Sequence, residues 1–492
     1  MELFATMDRP WPLPRPGVRR AWWLREALAT EQVTGGTLPA PPLTGHEIAD
    51  VAIVGGGYTG MWTAYFLTER DPGMRIVLLE QDICGGGPSG RNGGFVHGWW
   101  EQLPYLVKKY GPEAGLEIAK AADEVVDGIG AFCTEHGIDA WYRKAGYLAA
   151  HAFPNVESGF ERSSAAVARL GGHGQLVTWD PARVQAVCAS PVFRDGQWMP
   201  SAASIQPARL ARGLRRVLIE RGVVIHENTR VRRINPHSGS GGPGQPSVGV
   251  ITDDGSVLAH EAVLAVNAWG AGWPGHRLRL LAWGSYMIVT EPIPDRLAAL
   301  GWTGDELLSD TRFTISYFRT TRDGRIAFGA GVGAAGFGGR IGKTFSSDAH
   351  AVARVASNFD HLFPMLRDVR FEDSWGGPID ISADRFPEIG SRDGRRVHYA
   401  YGFAGNGAGP SRLAGRILAA LVDDPNDPLA RLPLVGRRQR ILPPEPFRFI
   451  GARLIREALI RRDDALDAGE TPGLVVRTMA RVPGLMGYRF EH

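Results

Sequence analysis

The chain has 492 residues, of which 44% are hydrophobic, and its formal net charge is +3. This length exceeds what one compact core organises, so we expect two or more domains. The small net charge gives no reason to expect a nucleic-acid partner. The three cysteines, Cys84, Cys133 and Cys188, form neither a disulfide framework nor a metal site, and no metal is expected.

The beginning of the chain carries no recognisable export signal. Met1–Arg20 contains several prolines but lacks the apolar core of a signal peptide. No apolar run reaches membrane-spanning length, and isolated cysteines are typical of a reducing compartment. We therefore expect a cytoplasmic protein for which a membrane partner is unlikely.

The first part of the chain predicts an arm followed by a βαβ unit. Met1–Glu47 is rich in proline and has one helical patch, Ala21–Leu28. Asp50–Val54 predicts a strand, Thr59–Arg70 a helix, and Arg75–Leu79 a second buried strand.

Alternating helical and strand patterns continue through the rest of the chain. The further predicted helices are Leu106–His136 (as one or two helices), Arg209–Arg221, Ala349–Phe359 and Leu413–Leu421. The further predicted strands are Val223–Glu227, Val248–Thr252, Val257–Leu258, Ala262–Val266, Trp283–Thr290 and Gly324–Ala330. The low-complexity run His237–Ser247 predicts a surface loop.

A dinucleotide-binding pattern joins the first strand to the first helix. Gly55, Gly57 and Gly60 form G-x-G-x-x-G within VAIVGGGYTG. These glycines permit the tight turn, the approach of a pyrophosphate and close helix packing, respectively. Glu80 follows about 20 residues later, where a carboxylate accepts ribose hydroxyls. Glutamate at this position argues against a 2′-phosphate and hence against NADP.

The glycine pattern is weak evidence by itself. Gly85–Gly90 and Gly331–Gly336 also match it, but neither lies between a strand and a helix with an acidic residue downstream. A glycine-rich turn in an unrelated α/β sheet is the alternative for the first copy as well. Its strand, helix and acidic context favour dinucleotide binding.

Three further segments favour FAD over NAD. The glycine-dense run Gly85–Val96 lets backbone N–H groups approach a flat, charged ligand. Ala262–Gly270 is a buried strand that ends in small residues. In Tyr399–Leu421 a strand leads through a glycine-rich turn into a helix that starts near Pro410. The positive end of that helix would stabilise the anionic edge of a reduced flavin.

The order of these motifs resembles one family of flavoenzymes. GGGYTG, Glu80, SGRNGG, AVNAWG, DGRIAFGAG, DRFPEIG and GFAGNGAGPSRLAGRILAAL follow one another in the chain. This order resembles the FAD-dependent D-amino-acid oxidase/glycine oxidase superfamily, and most closely its gamma-glutamylputrescine oxidase-like branch, over about Asp50–Asp423. The resemblance implies an α/β fold: a Rossmann-like FAD-binding domain of discontinuous segments plus a mixed-sheet substrate domain.

The resemblance also implies a division of the chain. We expect an N-terminal arm at 1–49 and a C-terminal extension at 426–492. The FAD-binding domain is expected at 50–104, 200–275 and 365–425, and the substrate domain at 105–199 and 276–364.

The family's cofactor contacts transfer onto matching positions. The implied FAD-binding residues are Gly55, Gly57, Tyr58, Thr59, Gly60, Glu80, Gln81, Ser89, Gly90, Arg91, Asn92, Gly93, Gly94, Val231, Asn267, Ala268, Trp269, Gly405, Asn406 and Gly407. Some sarcosine-oxidising relatives tether FAD through a cysteine shortly before the segment matching Asp384–Gly390, but GGPIDISADRF contains none. We therefore expect non-covalent FAD, with Cys84 as a small buried residue.

The family's reaction is oxidation of a C–N bond. A hydride passes from the carbon beside a neutral amine to flavin N5, and water hydrolyses the imine. The implied catalytic residues are His97, Tyr286, Tyr317, Arg319 and Trp375, with Trp99, Trp100 and Asp380 as further wall residues. The alternatives are that the aromatic residues belong to the core, that His97 is a hydrogen-bonded structural histidine, and that Arg319 anchors its hairpin through a surface ion pair.

The partners are expected to be a small-molecule amine and an electron acceptor. Relatives that react fast with O2 often place a lysine near N5, and Lys343 alone follows Tyr286 in the second domain. The acceptor is therefore O2 or an electron-transfer partner. Two other functions stay open: a FAD-dependent dehydrogenase of a hydroxy acid or polyol phosphate, and a flavin-binding subunit without catalysis.

A final helix is predicted at Phe447–Arg462. Its apolar side chains near one face are Phe447, Ile450, Leu454 and Leu459. A basic amphipathic helix lies on an anionic membrane or packs its apolar face on its own protein. The acidic residues Asp463 and Asp464 follow at once, which favours packing on the protein.

Overall fold

The computed structural model describes residues 20–33, 39–236, 245–394, 396–437 and 439–489. The α-helices are α1 Trp22–Val33, α2 Tyr58–Arg70, α3 Leu103–Tyr110, α4 Pro112–Glu135, α5 Phe160–Arg169, α6 Pro181–Val187, α7 Pro207–Glu220, α8 Pro294–Ala299, α9 Ala349–Leu362, α10 Pro410–Asp423, α11 Phe447–Asp467 and α12 Leu474–Leu485. Most of the predicted low-complexity loop, 237–244, and much of the predicted arm lie outside the described residues.

The strands divide between two large sheets and one short pair. They are β1 Gly45–Val54, β2 Ile76–Leu79, β3 Phe95–His97, β4 Tyr147–Ala150, β5 Val177–Trp179, β6 Gly196–Met199, β7 Ala202–Ser204, β8 Val224–His226, β9 Arg233–Asn235, β10 Val248–Ile251, β11 Gly255–Leu264, β12 Leu280–Thr290, β13 Leu307–Ser309, β14 Ser316–Thr320, β15 Ile326–Ala330, β16 Phe371–Ser382, β17 Glu388–Arg392 and β18 Val397–Tyr401.

The first sheet is built around a parallel core. Its order is β17-β18-β11-β1-β2-β8, and the strands from β18 to β8 run parallel. β9 and β10 form an antiparallel ladder beside β11. Helices α2, α7 and α10 supply apolar side chains to the core against this sheet. The predicted βαβ unit is therefore present as β1, α2 and β2.

The second sheet is mixed, as the resemblance implies. Its order is β16-β12-β15-β14-β13-β4-β6-β5; β13 and β4 are parallel, and the other neighbours are antiparallel. Helix α9 covers one face with buried apolar residues that include Val355 and Phe359.

Two predicted boundaries differ from the observed pairing. The segment 365–425 is expected in the FAD-binding domain, but β16 within it pairs with β12 from Leu280↔Ser382 to Thr290↔Phe371 and so belongs to the second sheet. β1 starts at Gly45, inside the predicted arm, because Gly45–Ala49 pairs with the start of β11. The separately predicted strands at 257–258 and 262–266 form one strand, β11.

The C-terminal extension packs on the body, although not through the predicted face. Phe447, Ile450 and Leu454 are 70%, 51% and 55% exposed. The buried residues of α11 include Leu459 and Asp463 instead. The expectation that the apolar face packs inward was therefore wrong for most of its length, because a small and polar face makes the contacts.

Candidate active site

The turn between β1 and α2 requires glycine at two positions. Gly55 has φ +112°, and a Cβ there would lie 2.4 Å from the carbonyl oxygen of Ala265. A Cβ on Gly60 would lie 2.0 Å from the oxygen of Gly55. The sequence thus closes the turn tightly against β11 and brings the start of α2 to the carboxyl end of the sheet.

The N-terminus of α2 is open toward a ligand. Gly57 precedes the helix and supplies no side-chain cap. The N–H of Tyr58 donates to the hydroxyl of Ser89 at 2.9 Å. The glycine-dense run Gly85–Val96, called the predicted flavin loop below, therefore touches this helix end. A Cβ on Gly57 would stand 3.1 Å from the same hydroxyl. The remaining first-turn N–H groups and the helix dipole favour a phosphate there.

Glu80 ends β2 beside this turn. Its two carboxylate oxygens accept the backbone N–H groups of Gly56 at 2.7 Å and Asp82 at 2.8 Å. Burial raises the pKa of Glu80 to about 7, although both hydrogen bonds oppose the increase. The neighbouring Gln81 is exposed. Binding of ribose by Glu80 and Gln81 stays a prediction.

The predicted flavin loop is held by hydrogen bonds within the loop and by one hydrogen bond to β16. The Arg91 Nε donates to the oxygen of Gly86 at 2.8 Å, and its Nη1 donates to the oxygen of Gly376 on β16 at 3.1 Å. The side-chain oxygen of Asn92 accepts the N–H of Gly94 at 2.8 Å. These bonds hold the loop between the two sheets.

A second glycine-rich turn precedes α10. The buried carboxylate of Asp380 accepts the N–H of Gly402 at 2.5 Å, and its backbone oxygen accepts the N–H of Ala404 at 3.0 Å. Burial raises the pKa of Asp380 to about 7. Gly405 has φ +89°, and α10 begins at Pro410 without a side-chain cap. Asp380 therefore stabilises the turn through hydrogen bonds to Gly402 and Ala404 and does not line the cavity.

A cavity of about 630 Å³ lies where these two loops meet the second sheet. The predicted residues that line it are Arg91, Asn92, Gly93, His97, Trp99, Tyr317, Gly405 and Asn406. Segments that are far apart in the sequence are thus brought together around one space. This volume suits a small organic ligand.

Sequence reasoning missed several cavity residues. They are Glu101, Tyr147, Trp283, Arg385 and Phe386, together with Leu459, Arg462, Ala480 and Arg489 from the C-terminal extension. The only sequence signal for Glu101 was an acidic residue directly after two tryptophans. No local signal marks the extension residues, because only tertiary packing brings them to the cavity.

His97 offers one acceptor to the cavity. Its Nδ1 lies 3.1 Å from the carbonyl oxygen of Gly98, which accepts hydrogen bonds only. In the neutral ring Nδ1 therefore carries the hydrogen, and Nε2 is left with a lone pair. The backbone of His97 also lies close to Gly409. A Cβ added to Gly409 would stand 2.8 Å from the backbone carbonyl oxygen of His97. His97 is thus beside the start of α10.

Two of the predicted catalytic side chains, Tyr286 and Trp375, form hydrogen bonds outside the cavity. The Tyr286 hydroxyl donates to the oxygen of Thr344 at 2.6 Å, within the core of the second sheet. The Trp375 Nε1 donates to the oxygen of Arg91 at 2.9 Å and so supports the flavin loop. Neither side chain lines the cavity.

Arg319 is buried in the same region. Its Nε donates to the oxygen of Thr320 at 3.0 Å, and its Nη1 donates to the oxygen of Ile205. Its guanidinium carbon also lies 5.5 Å from the ring centre of Trp23 on α1. In this position Arg319 joins the arm to β14 and does not line the cavity.

The other predicted cofactor residues follow β11. Asn267, Ala268 and Trp269 begin a short 3-10 turn, and the buried Oδ1 of Asn267 has no hydrogen-bond partner in the described part of the chain. Val231 packs at the edge of the apolar cluster around β1 and β11. The side chain of Asn267 also contacts the carboxyl of Asp380 and opposes the rise in the pKa of that group.

The cysteines and lysines lie away from the cavity. Cys84 is fully buried, and burial raises the pKa of its thiol well above the ordinary value. Lys343 is exposed, and none of the five lysines lines the cavity. Non-covalent FAD stays a prediction. No group of acidic, histidine or cysteine side chains in the described ranges could hold a metal ion.

The residues fit a flavin dinucleotide. The helices α2 and α10 begin without side-chain caps, and the loop residues Arg91, Asn92 and Gly93 and the turn residues Gly405 and Asn406 line the cavity beside them. These features define an oxidoreductase of the flavoprotein class.

The family follows from comparison with known proteins. The family model described as FAD dependent oxidoreductase, DAO, matches residues 50–421. The chain therefore belongs to this FAD-dependent family, and the resemblance expected from the motif order is confirmed. It is a FAD-dependent oxidoreductase.

Related proteins support the same assignment. The chain is 28% identical over 425 residues to gamma-glutamylputrescine oxidoreductase of Escherichia coli, covering 84% of this chain and 93% of the relative. It is 26% identical over 388 residues to the probable oxidoreductase OrdL of Haemophilus influenzae, covering 78% and 84%. Glycine oxidase from Geobacillus kaustophilus shares the fold, with TM-score 0.61, 20% identity, and coverage of 76% and 95%. No helix in the described ranges has the length and apolarity to cross a membrane.

Proposed function

We propose that this protein oxidises a C–N bond of an amine bound in the 630 Å³ cavity. One observation carries the proposal. Arg91, Gly93 and Gly405, which the family resemblance places at the isoalloxazine, line the same space as His97 and Tyr317. A substrate in this space would lie directly against the flavin.

The chain's own residues would orient the amine. Bound FAD supplies a hydride acceptor at N5. The lone pair on His97 Nε2 accepts a hydrogen bond from the substrate nitrogen and can take a proton from its ammonium form. Tyr147, Trp283 and Phe386 are apolar walls that exclude water and attract a cation through their ring faces. The neutral amine then loses a hydride, and water hydrolyses the imine.

The cavity favours a substrate larger than a simple amino acid. Its extension from the predicted flavin side at Gly405 to Leu459 of α11 and Ala480 of α12 leaves space beyond the reacting carbon. The relative from Escherichia coli is named for gamma-glutamylputrescine, a diamine acylated at one end. We therefore propose N-acylated diamines as the substrate class, with O2 or an electron-transfer partner as the acceptor.

The test begins with the pure protein and its visible spectrum. Heating should release the flavin into solution, as expected for non-covalent FAD. An anaerobic panel of N-acylated diamines should then bleach the flavin bands, and admission of air or an artificial acceptor should restore them.

Matched alcohols and hydroxy acids are the control substrates. Bleaching by these compounds and not by amines would replace the proposal with a hydroxy-acid or polyol dehydrogenase. The His97→Asn variant should lower the bleaching rate most between about pH 7 and 9, where an amine arrives as its ammonium form while a neutral imidazole can still accept the proton. An unchanged pH profile would remove His97 from this role.

A further inference from the structure

We propose that Glu101 and Arg489 together bind an α-amino-acid head group of the substrate, with its ammonium on Glu101 and its carboxylate on Arg489. This inference rests on the proposed function and specifies its substrate. The reacting amine is then a different nitrogen, at the other end of the molecule.

Glu101 is a buried carboxylate that lacks a good partner. It lies in a short 3-10 turn, Trp100–Gln102, and lines the cavity. Its Oε2 is buried without a hydrogen-bond partner among the described residues, and its Oε1 receives only a 3.4 Å contact from Gln102. A buried carboxylate in this condition is costly unless a ligand cation or a proton joins it. Burial raises the pKa of Glu101, and His97 and Arg489 oppose the increase.

Arg489 presents a guanidinium to the same cavity. Its backbone N–H donates to the oxygen of Ala383 at 2.9 Å, and its guanidinium lies 4.6 Å from the ring centre of Tyr105. The nearby Asp384 is already bonded to Arg437 at 2.7 Å and to Tyr105 at 2.5 Å. Within the described ranges no ion pair includes Arg489, so its planar donors can receive a carboxylate.

The Glu101 and Arg489 side chains line the same cavity. The Arg489 charge acts on Glu101, yet the described residues show no ion pair between them. Arg385 also lines the cavity, and burial together with Arg489 lowers the pKa of Arg385 to about 10. A second cation beside Arg489 favours an anion on that side. A carboxylate and a guanidinium that are not paired with each other complement a zwitterion in which an ammonium and a carboxylate are attached to the same carbon.

The reacting nitrogen cannot be the one on Glu101. An ion pair with a carboxylate stabilises the ammonium form, whereas hydride transfer needs a neutral amine. The head group therefore anchors the substrate, and the reacting amine reaches the flavin side near Gly405.

The test uses three amines of equal length. They are 1,4-diaminobutane acylated by a γ-glutamyl group, by a glutaryl group that lacks the ammonium, and by a 4-aminobutanoyl group that lacks the carboxylate. In the holoenzyme, loss of either head charge should lower kcat/KM roughly tenfold or more. In Glu101→Gln, the γ-glutamyl and glutaryl amines should have the same kcat/KM. In Arg489→Gln, the γ-glutamyl and 4-aminobutanoyl amines should have the same kcat/KM.

A binding measurement separates this inference from the proposed function. The Kd of unreactive γ-glutamyl-n-butylamide, read from the flavin spectrum, should rise roughly tenfold in each variant. The exposed changes Glu117→Gln and Arg477→Gln are the controls and should leave this Kd unchanged. Equal effects of each variant on all three amines would overturn the head-group site. Binding that depends on both residues without any bleaching by amines would overturn only the proposed function.

Discussion

At the scale of single residues, two glycines near α2 have different duties. A Cβ on Gly60 would meet backbone at 2.0 Å, whereas a Cβ on Gly57 would meet the flexible Ser89 hydroxyl at 3.1 Å. The first glycine is needed to fold the turn, and the second leaves space for a ligand. The sequence pattern predicts a pyrophosphate contact at Gly57 and close helix packing at Gly60, and the distances give the physical reason for the difference.

The variants Gly60→Ala and Gly57→Ala should therefore behave differently. Gly60→Ala should lower the free energy of unfolding by about 3 kcal/mol, because backbone must move. Gly57→Ala should stay within about 1 kcal/mol of the parent and yet retain less FAD after gel filtration. Urea unfolding and the ratio of visible to ultraviolet absorbance measure these effects. Full flavin content in Gly57→Ala would contradict the predicted pyrophosphate contact.

Asp380 predicts a dependence of stability on pH. Its pKa is raised from 3.8 to about 7, so the folded protein holds this proton more tightly than the unfolded chain. The protonated carboxyl therefore contributes to the free energy of unfolding at low pH, and this contribution is lost as the pH rises through about 7. Asp380→Asn stays neutral and keeps an acceptor for Gly402, so at pH ~8 it should be more stable than the parent by roughly 1–3 kcal/mol.

Thermal unfolding between about pH 5 and 8 tests this prediction. The gain from Asp380→Asn should vanish at the acidic end, where the parent carboxyl is protonated. The exposed Asp295→Asn is the control and should show no such dependence. A variant less stable than the parent at pH ~8 would show that Asp380 is needed in its charged form.

At the scale of elements, the packing of α10 on α2 fixes how the second glycine-rich turn meets the first. A Cβ on Gly415 would lie 2.5 Å from the Cβ of Trp62 and 2.9 Å from the N of Thr63. Both helices were predicted from their periodicity. Their contact was not, because a helix pattern shows which face is apolar and not which partner covers it.

Gly415→Val should separate these helices. We expect the free energy of unfolding to fall by about 3 kcal/mol, since overpacking forces backbone to move. FAD retention should fall as well, because both helix N-termini shift. Arg416→Ala, one residue along and only partly buried, is the control and should stay within about 0.5 kcal/mol of the parent. Equal stability of the two variants would show that the α2–α10 contact adapts.

At the scale of the whole molecule, the C-terminal extension closes the cavity. Arg312 on the cavity wall pairs with Asp310 and donates to Asp467 on α11 at 2.9 Å. Asp463 on the same helix accepts the N–H of Phe313 at 3.0 Å. These contacts place Leu459 and Arg462 against the substrate space.

Asp467→Asn should loosen this closure. It weakens a charge-assisted contact with the buried Arg312, and we expect about 2 kcal/mol of lost stability. Proteolysis between α10 and α11 should become faster, and the KM for an N-acylated diamine should rise. Asp464→Asn on the same helix is the matched control, since its exposed pair with Arg354 contributes less than about 1 kcal/mol. If Asp467→Asn and Asp464→Asn are cleaved at the same rate, the contact between Arg312 and Asp467 does not hold the C-terminal extension over the cavity.

The sequence by itself determined the cofactor turn, the βαβ unit and the family, because these depend on short-range patterns of glycine and apolar residues. Tertiary structure alone decided that β16 joins the second sheet and that Tyr286, Arg319 and Trp375 support the fold. It also decided that Glu101 and Arg489 share one cavity. Strand partners and cavity walls depend on contacts between residues tens to hundreds of positions apart, which no local pattern records.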